Sequence, residues 1–137
     1  MDDQENKGVK LGISIERPAA EAYEFLSLPE NFPKWASGLG KSLRQEGGEW
    51  IAETPEGPAT VRFSDRNSLG VLDHSVTLPS GACVYIPLRI VPNGAGCELV
   101  LTLFRPPGMS DEQFAPDAEW VKRDLDTAKR LLEARRQ

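Results

Sequence analysis

Five turn signals divide the middle of this chain, from residue 41 to residue 105, into short segments. They are EGG at 46–48, PEG at 55–57, RNS at 66–68, PSG at 79–81 and NG at 93–94. Glycine, proline, asparagine and serine favour tight turns, and apolar residues alternate with polar ones between these turns. A spacing of roughly 10–14 residues is typical of strands joined by hairpins. The pattern therefore predicts an antiparallel meander.

The only histidine of the chain, His74, lies in one of these strands. The PSG stretch at 79–81 suits a three-residue loop, with a type I turn followed by glycine in the left-handed conformation. That loop pairs His74 with Ile86, and the neighbouring pairs on the same face are also apolar. Because successive side chains of a strand point to opposite faces, Asp73 is placed on the other face.

The next hairpin is predicted from the asparagine–glycine pair at 93–94, which favours a two-residue turn. It pairs Ile86 with Leu101 on the apolar face. On the other face it places Arg89 opposite Glu98, which is a favourable cross-strand pair. Both hairpins therefore predict the same apolar face, and His74 lies on it.

An earlier hairpin is predicted at 55–57, and its register is less certain. A three-residue loop there pairs Ile51 with Val61 and Trp50 with Arg62. Trp50 and Arg62 then stack on the outer face as a cation–π pair. A bulge would instead turn them toward a cavity, and the sequence leaves both arrangements open.

The segment before the meander predicts one strand and two short helical pieces. Apolar residues alternate with polar ones over 9–15, which is the pattern of a half-buried strand. Pro18 breaks this strand and can open a helix over 19–26. The stretch 28–35 contains two prolines and predicts a second short helix or turn.

The chain ends in a predicted amphipathic helix. Ser110 and Gln113 have the spacing of a capping box at its start. Its apolar stripe consists of Val121, Leu125, Ala128 and Leu132. A helix of about 20 residues is roughly 30 Å long, which is enough to lie across a sheet.

Length and charge limit the classes of function. The chain has 137 residues and a formal net charge of −5, which predicts a single domain over 8–137 after a disordered tail at 1–7. The acidic balance argues against a nucleic-acid partner. The acidic start predicts no signal peptide, and no apolar run reaches the ~20 residues of a membrane span. We therefore expect a cytoplasmic protein without membrane insertion. Two cysteines predict neither a disulfide framework nor a zinc site.

Four stretches carry a family resemblance. The opening ISIERPAAEAYEFL at 13–26, followed by LPENFPKW at 28–35, resembles the start of the SRPBCC superfamily. This superfamily includes START-related lipid-binding domains, the birch-pollen-allergen fold and the polyketide cyclase/dehydrase group. The stretches GVLDHSVTLP at 70–79 and LFRPPGMSDEQF at 103–114 resemble a bacterial branch of it.

The resemblance implies an α+β helix-grip fold. A seven-stranded curved antiparallel sheet would wrap around the long C-terminal helix, with two short helices after strand 1. A hydrophobic cavity would lie between the sheet and the C-terminal helix, closed at one end by the short helices. The predicted apolar strand faces and the helix stripe agree with this arrangement.

The first hypothesis for function is binding of a small hydrophobic or aromatic molecule in that cavity. A mostly apolar pocket with one or two polar anchors is the usual design of such sites. The predicted lining residues are Trp35, Phe63, His74, Ile86, Leu88, Leu101, Leu103 and Trp120. His74 is a core residue with a satisfied hydrogen bond, a hydrogen-bonding group for the ligand, or an acid–base group.

Two further hypotheses are an enzyme similar to polyketide cyclases and aromatases, and a protein-interaction domain similar to co-chaperones. An aldol-type cyclisation needs a group that moves a proton and a donor that stabilises the enolate. The sequence offers His74 for the first role and no evident partner for it. We therefore assign no catalytic residue, metal ligand or cofactor, and a homodimer is left open.

Overall fold

Two antiparallel sheets and a long C-terminal helix form the framework of the computed structural model, which describes residues 8–37, 42–105 and 108–135. The predicted tail at 1–7 lies outside these residues. The strands are β1 (Gly8–Ile15), β2 (Arg44–Glu46), β3 (Glu49–Thr54), β4 (Gly57–Phe63), β5 (His74–Thr77), β6 (Cys83–Ile86), β7 (Leu88–Asn93) and β8 (Gly96–Phe104). The helices are α1 (Ala19–Leu26), α2 (Phe32–Trp35) and α3 (Asp111–Glu133), and a 3₁₀ turn (Pro29–Asn31) precedes α2. The two predicted short helices after the first strand are thus confirmed.

The prediction of one seven-stranded sheet is wrong, because the described residues form eight strands in two sheets. Their orders are β1-β8-β7 and β2-β3-β4-β5-β6. The extra strand arises at Pro87, which separates β6 from β7 and has no N–H for the ladder. Beyond the proline, the N–H of Leu88 donates to the carboxylate of Asp73 at 2.9 Å. The sheets remain joined by backbone bonds, from Leu72 N to Leu88 O at 2.7 Å and from Thr102 N to Pro87 O at 3.0 Å.

The hairpin between β5 and β6 confirms the predicted register of His74. His74 pairs with Ile86 in the sheet. Gly81 has a φ of 95°, as the left-handed position of the loop requires. The N–H of Leu78 donates to the carbonyl of Ala82 at 2.8 Å and closes the loop.

The hairpin between β7 and β8 turns one residue later than predicted. Gly94 and Ala95 are its central residues, so Leu101 faces Leu88 and not Ile86. A turn centred on residues 93 and 94 would need a positive φ at Asn93, and none of the described residues other than glycine has one. The shift moves each partner by two residues and so preserves the apolar face.

The hairpin between β3 and β4 also differs from its prediction, by one residue. Its turn has two central residues and not three, so Trp50 pairs with Val61. The indole of Trp50 therefore lies on the inner face, with its ring centroid 6.4 Å from that of Phe63. Arg62 lies on the outer face and forms an ion pair with Glu49 at 3.6 Å.

Helix α3 packs its apolar stripe against the sheets, as predicted. It begins at a complete capping box formed by Ser110 and Gln113. Leu125, Ala128 and Leu132 are at most 2% exposed and belong to the main core. The helix is thereby fixed across the inner face that also carries His74.

A close approach of backbones fixes the loop before β5. Gly70 has a φ of 76°, and its carbonyl accepts a hydrogen bond from Ile90 N at 2.8 Å. A Cβ at this position would lie 2.5 Å from the carbonyl oxygen of Ile90. Gly94 has a similar φ of 61° but nothing within 4 Å of the same point. A side chain at either position would strain the backbone, but only at Gly70 would it also clash with Ile90. Comparing the two positions therefore distinguishes the cost of the clash from the cost of the backbone strain.

We expect Gly70→Ala to lower the free energy of unfolding by about 3 kcal/mol or more, measured by urea denaturation. Gly94→Ala, the matched control, should cost only the left-handed conformation, about 1 kcal/mol. Equal losses in the two variants would contradict the role of the clash with Ile90.

Candidate ligand-binding site

A cavity of about 340 Å³ lies between α3 and the inner face of the sheets, with α2 at one end. Residues from α2, from the strands β5, β6 and β8, and from α3 form its wall. The lining residues are Phe32, Trp35, Ala36, His74, Ile86, Leu101, Leu103, Asp117, Trp120, Val121, Asp124 and Leu125. This is the position that the helix-grip arrangement implies for a cavity.

Six of the eight predicted residues line this cavity, namely Trp35, His74, Ile86, Leu101, Leu103 and Trp120. The other two, Phe63 and Leu88, lie behind His74 and line a second space of about 20 Å³. Leu88 is 1% exposed and belongs to the main core. These two residues therefore pack behind the lining and do not contact the cavity.

His74 is the buried polar group of the wall, at 6% exposure. Its Nδ1 lies 3.2 Å from the carbonyl oxygen of Leu72, and its ring packs against Phe32 and Phe63 with centroid distances of 5.5 and 5.8 Å. Burial lowers the pKa of His74, which favours the neutral ring. Since a carbonyl can only accept, the proton of the neutral ring lies on Nδ1. Nε2 is then an acceptor, and no described residue donates to it.

Trp35, another residue of the lining, carries a second buried polar group, its indole N–H. The side chain is 4% exposed and packs edge-on against Phe32, with 5.3 Å between ring centroids. Its Nε1 is buried and has no hydrogen-bond partner among the residues that the structure describes. A buried donor without a partner is costly to stability.

Ser37 links two residues of the lining, Trp120 and Asp124, by hydrogen bonds. Its hydroxyl donates to Oδ1 of Asp124 at 2.7 Å and accepts from Nε1 of Trp120 at 2.7 Å. Its backbone N–H donates to the same Oδ1 at 3.1 Å. Burial raises the pKa of Asp124, although both hydrogen bonds from Ser37 oppose this effect. Trp120 is 48% exposed, so its ring lies between the cavity and solvent.

Sequence reasoning missed the two carboxylates of the lining. Asp117, Val121 and Asp124 follow one another at steps of four and three residues and so share one face of α3. The same steps continue the predicted stripe of Leu125 toward the start of the helix. That spacing was the available signal, and it was hidden by the rule that charged residues of an amphipathic helix face solvent.

Asp73 forms a separate network on the opposite face of the sheet. Its carboxylate accepts two hydrogen bonds from Arg89, at 2.8 and 2.7 Å, and one from the hydroxyl of Tyr85. The bonds from Arg89 are the main cause that lowers the pKa of Asp73. Arg89 lies opposite Val100, so the predicted pair of Arg89 with Glu98 is wrong. Asp73 thus anchors the sheet beside His74 without entering the cavity.

The described part of the chain contains no group of three or more His, Cys, Asp or Glu side chains that could hold a metal ion. None of its helices is long and apolar enough to cross a membrane. Both cysteines are free thiols, with Cys97 buried and Cys83 exposed.

Solved structures share this architecture over nearly the whole chain. DynU16, from the dynemicin biosynthetic locus, matches with a TM-score of 0.68 at 14% identity, covering 93% of this chain and 47% of that one. This chain thus spans about half the length of DynU16. CalU16 from Micromonospora echinospora matches with a TM-score of 0.67 at 14% identity, covering 96% and 78%. Ara h 8.0201 matches with a TM-score of 0.64 at 10% identity, covering 95% and 99%.

The chain has an SRPBCC-type fold. No protein-family model matches the sequence, and no curated protein does. At the identities found, the likeness to SRPBCC-type structures establishes the fold alone. The function has to be argued from the cavity.

The buried neutral His74 predicts a pH dependence of stability. Its pKa is lower in the folded than in the unfolded chain, where it is about 6.5, so protonation favours unfolding. The stability that neutral His74 contributes is therefore present above pH 6.5 and is lost as the pH falls below that value. We expect His74→Gln to weaken the loss of unfolding free energy between pH 7 and pH 5, by no more than about 1.4 kcal/mol per pH unit. The free energy of unfolding is measured by urea denaturation at each pH. An equal change of this free energy with pH in both proteins would count against a buried neutral His74.

The hydrogen bonds of Asp73, on the opposite face of the sheet, predict a second effect on stability. We expect Asp73→Asn to lower the free energy of unfolding at pH 7 by about 2 kcal/mol. The substitution weakens an ion pair in which Asp73 is buried and Arg89 is half exposed. The pKa of Asp73 is lower in the folded chain, so its contribution is present at neutral pH and is lost as the pH falls below about 4.

The matched control for Asp73→Asn is Glu49→Gln, which removes the carboxylate of an exposed ion pair with Arg62. This variant should lose less than about 0.5 kcal/mol in the same thermal or urea denaturation. A loss in Asp73→Asn as small as in the control would show that the network does not anchor the sheet.

Proposed function

We propose that this domain binds a small, mostly apolar molecule in the cavity between α3 and the sheets. The observation that carries the proposal is the cavity itself, of about 340 Å³, with a predominantly apolar lining and few polar groups. Small-molecule sites in proteins have volumes from about 300 Å³ upward and the same composition. An aromatic or aliphatic ring system fits this volume and this wall.

One polar group of the lining supports a ligand with a hydrogen-bonding substituent. His74 offers Nε2 as an acceptor. It would gain a partner from a hydroxyl or amide group placed against that end of the wall. Such a contact favours the correct ligand strongly, because a buried polar group without a partner is costly.

We propose binding and not catalysis, since no described residue forms an acid–base pair with His74. The carboxylates of the lining lie on α3, where Asp124 accepts a hydrogen bond from Ser37 and Asp117 is exposed. The nearest acidic neighbour in sequence, Asp73, lies on the other face of the sheet with Arg89. The cytoplasmic location, the homodimer left open above, and the exclusion of nucleic acid and membrane insertion stay predictions from the sequence.

The proposal is tested with N-phenyl-1-naphthylamine, a neutral apolar dye whose fluorescence rises in apolar surroundings. We expect saturable binding by the unaltered protein. The variant Val121→Phe places a larger side chain in the lining of the cavity and should weaken binding at least about tenfold, because it removes volume that the dye occupies.

The matched control is Val91→Phe, the same substitution at a position of the sheet that is 49% exposed and outside the lining. Its affinity for the dye should equal that of the unaltered protein. Binding that is absent in the unaltered protein, or that Val121→Phe leaves unchanged, would contradict a ligand site in this cavity.

A further inference from the structure

The lining of the cavity is asymmetric in charge. Among the described residues of the lining, the charged side chains are Asp117 and Asp124, and none is lysine or arginine. Burial lowers the pKa of His74, which favours its neutral form. A ligand in this cavity therefore meets negative charge at α3 and no positive charge from the other described lining residues.

Asp124 is positioned to contact a ligand. Both hydrogen bonds from Ser37 go to Oδ1, and no described residue donates a hydrogen bond to Oδ2. The side chain is half-buried and lines the cavity beside Trp120. The neighbouring cation, Arg123, lies over the ring of Trp120 at 5.8 Å and outside the lining, and its charge acts on the carboxylate of Asp124 from there. A half-buried carboxylate with a free oxygen is a natural partner for a cation.

We propose that the ligand is an apolar amine, with its ammonium group beside Asp117 and Asp124 and its apolar body along Ile86, Leu101 and Leu103. This inference rests on the proposed binding function and adds the chemical class of the ligand. The neutral His74 at the wall is consistent with it, since it places no second positive charge near the ammonium group.

The same geometry disfavours carboxylates. A carboxylate with the same apolar body would face two like charges and would find no cation in the described lining. The interaction between unit charges a few ångström apart is several times stronger near a protein surface than in water. The amine should therefore bind at least about tenfold more tightly than the matched carboxylate.

The test uses three compounds with one naphthalene body: 2-naphthylmethylamine, 2-naphthylmethanol and 2-naphthoate. Their affinities are measured at pH 7 and low ionic strength by displacement of N-phenyl-1-naphthylamine and by titration calorimetry. We expect the amine to bind most tightly, the alcohol less tightly and the carboxylate at least about tenfold more weakly than the amine.

Asp124→Asn keeps an acceptor for Ser37 and removes the charge. It should weaken binding of the amine about tenfold, leave the alcohol nearly unchanged and strengthen binding of the carboxylate. The matched control is Asp126→Asn, on the same helix but exposed and paired with Arg130 at 3.0 Å, which should change none of the three affinities.

The outcomes separate this inference from the function on which it rests. Equal affinities for amine and carboxylate, or an unchanged amine affinity in Asp124→Asn, would overturn the inference while binding of the neutral dye upholds the ligand site. Absence of binding by all four compounds would overturn both.

Discussion

The junction at Pro87 is the constraint on which the arrangement of the two sheets depends. A proline within a strand removes one ladder donor, and the next N–H, that of Leu88, is directed to the carboxylate of Asp73. Without this acceptor a buried backbone donor would lack a partner, which is costly. On the outer face Arg89 forms an ion pair with this carboxylate, and the hydroxyl of Tyr85 donates a hydrogen bond to it. One side chain thus lets the strand break while the sheets stay joined.

The position of the cavity follows from this junction. Ile86, the last residue before the break, lines the cavity, and Leu88, the first residue after it, lies in the core. His74 pairs with Ile86 and is therefore held at the boundary between the two regions. Helix α3 covers both, with its buried stripe over the core and its segment from Asp117 to Leu125 over the cavity.

Local turn chemistry explains how much of the fold could be predicted from the sequence. The loop at 79–81 has its own glycine in the left-handed position, so the register of His74 was correct. The turn near Asn93 was misplaced because Gly94 can serve as either central residue, and only the conformation of Asn93 distinguishes the two. Because the error moved partners by two residues, the prediction of the buried face survived. A proline between two apolar strand segments is a local signal of the break at Pro87, but its compensation by Asp73 depends on a side-chain contact that no local pattern contains.

The candidate site was predicted less completely, and the reason is physical. Apolar lining residues follow from strand alternation, whereas a polar residue that faces a cavity violates the same rule that identifies the faces. Asp124 is such a residue, half-buried in the lining, and so in another way is the buried His74. Each contributes less to stability than an apolar side chain of similar size would, and the unfilled volume between α3 and the sheets lacks packing contacts that would stabilise the fold. Proteins keep such local violations mainly where function requires them, and here both lie in the wall of one cavity.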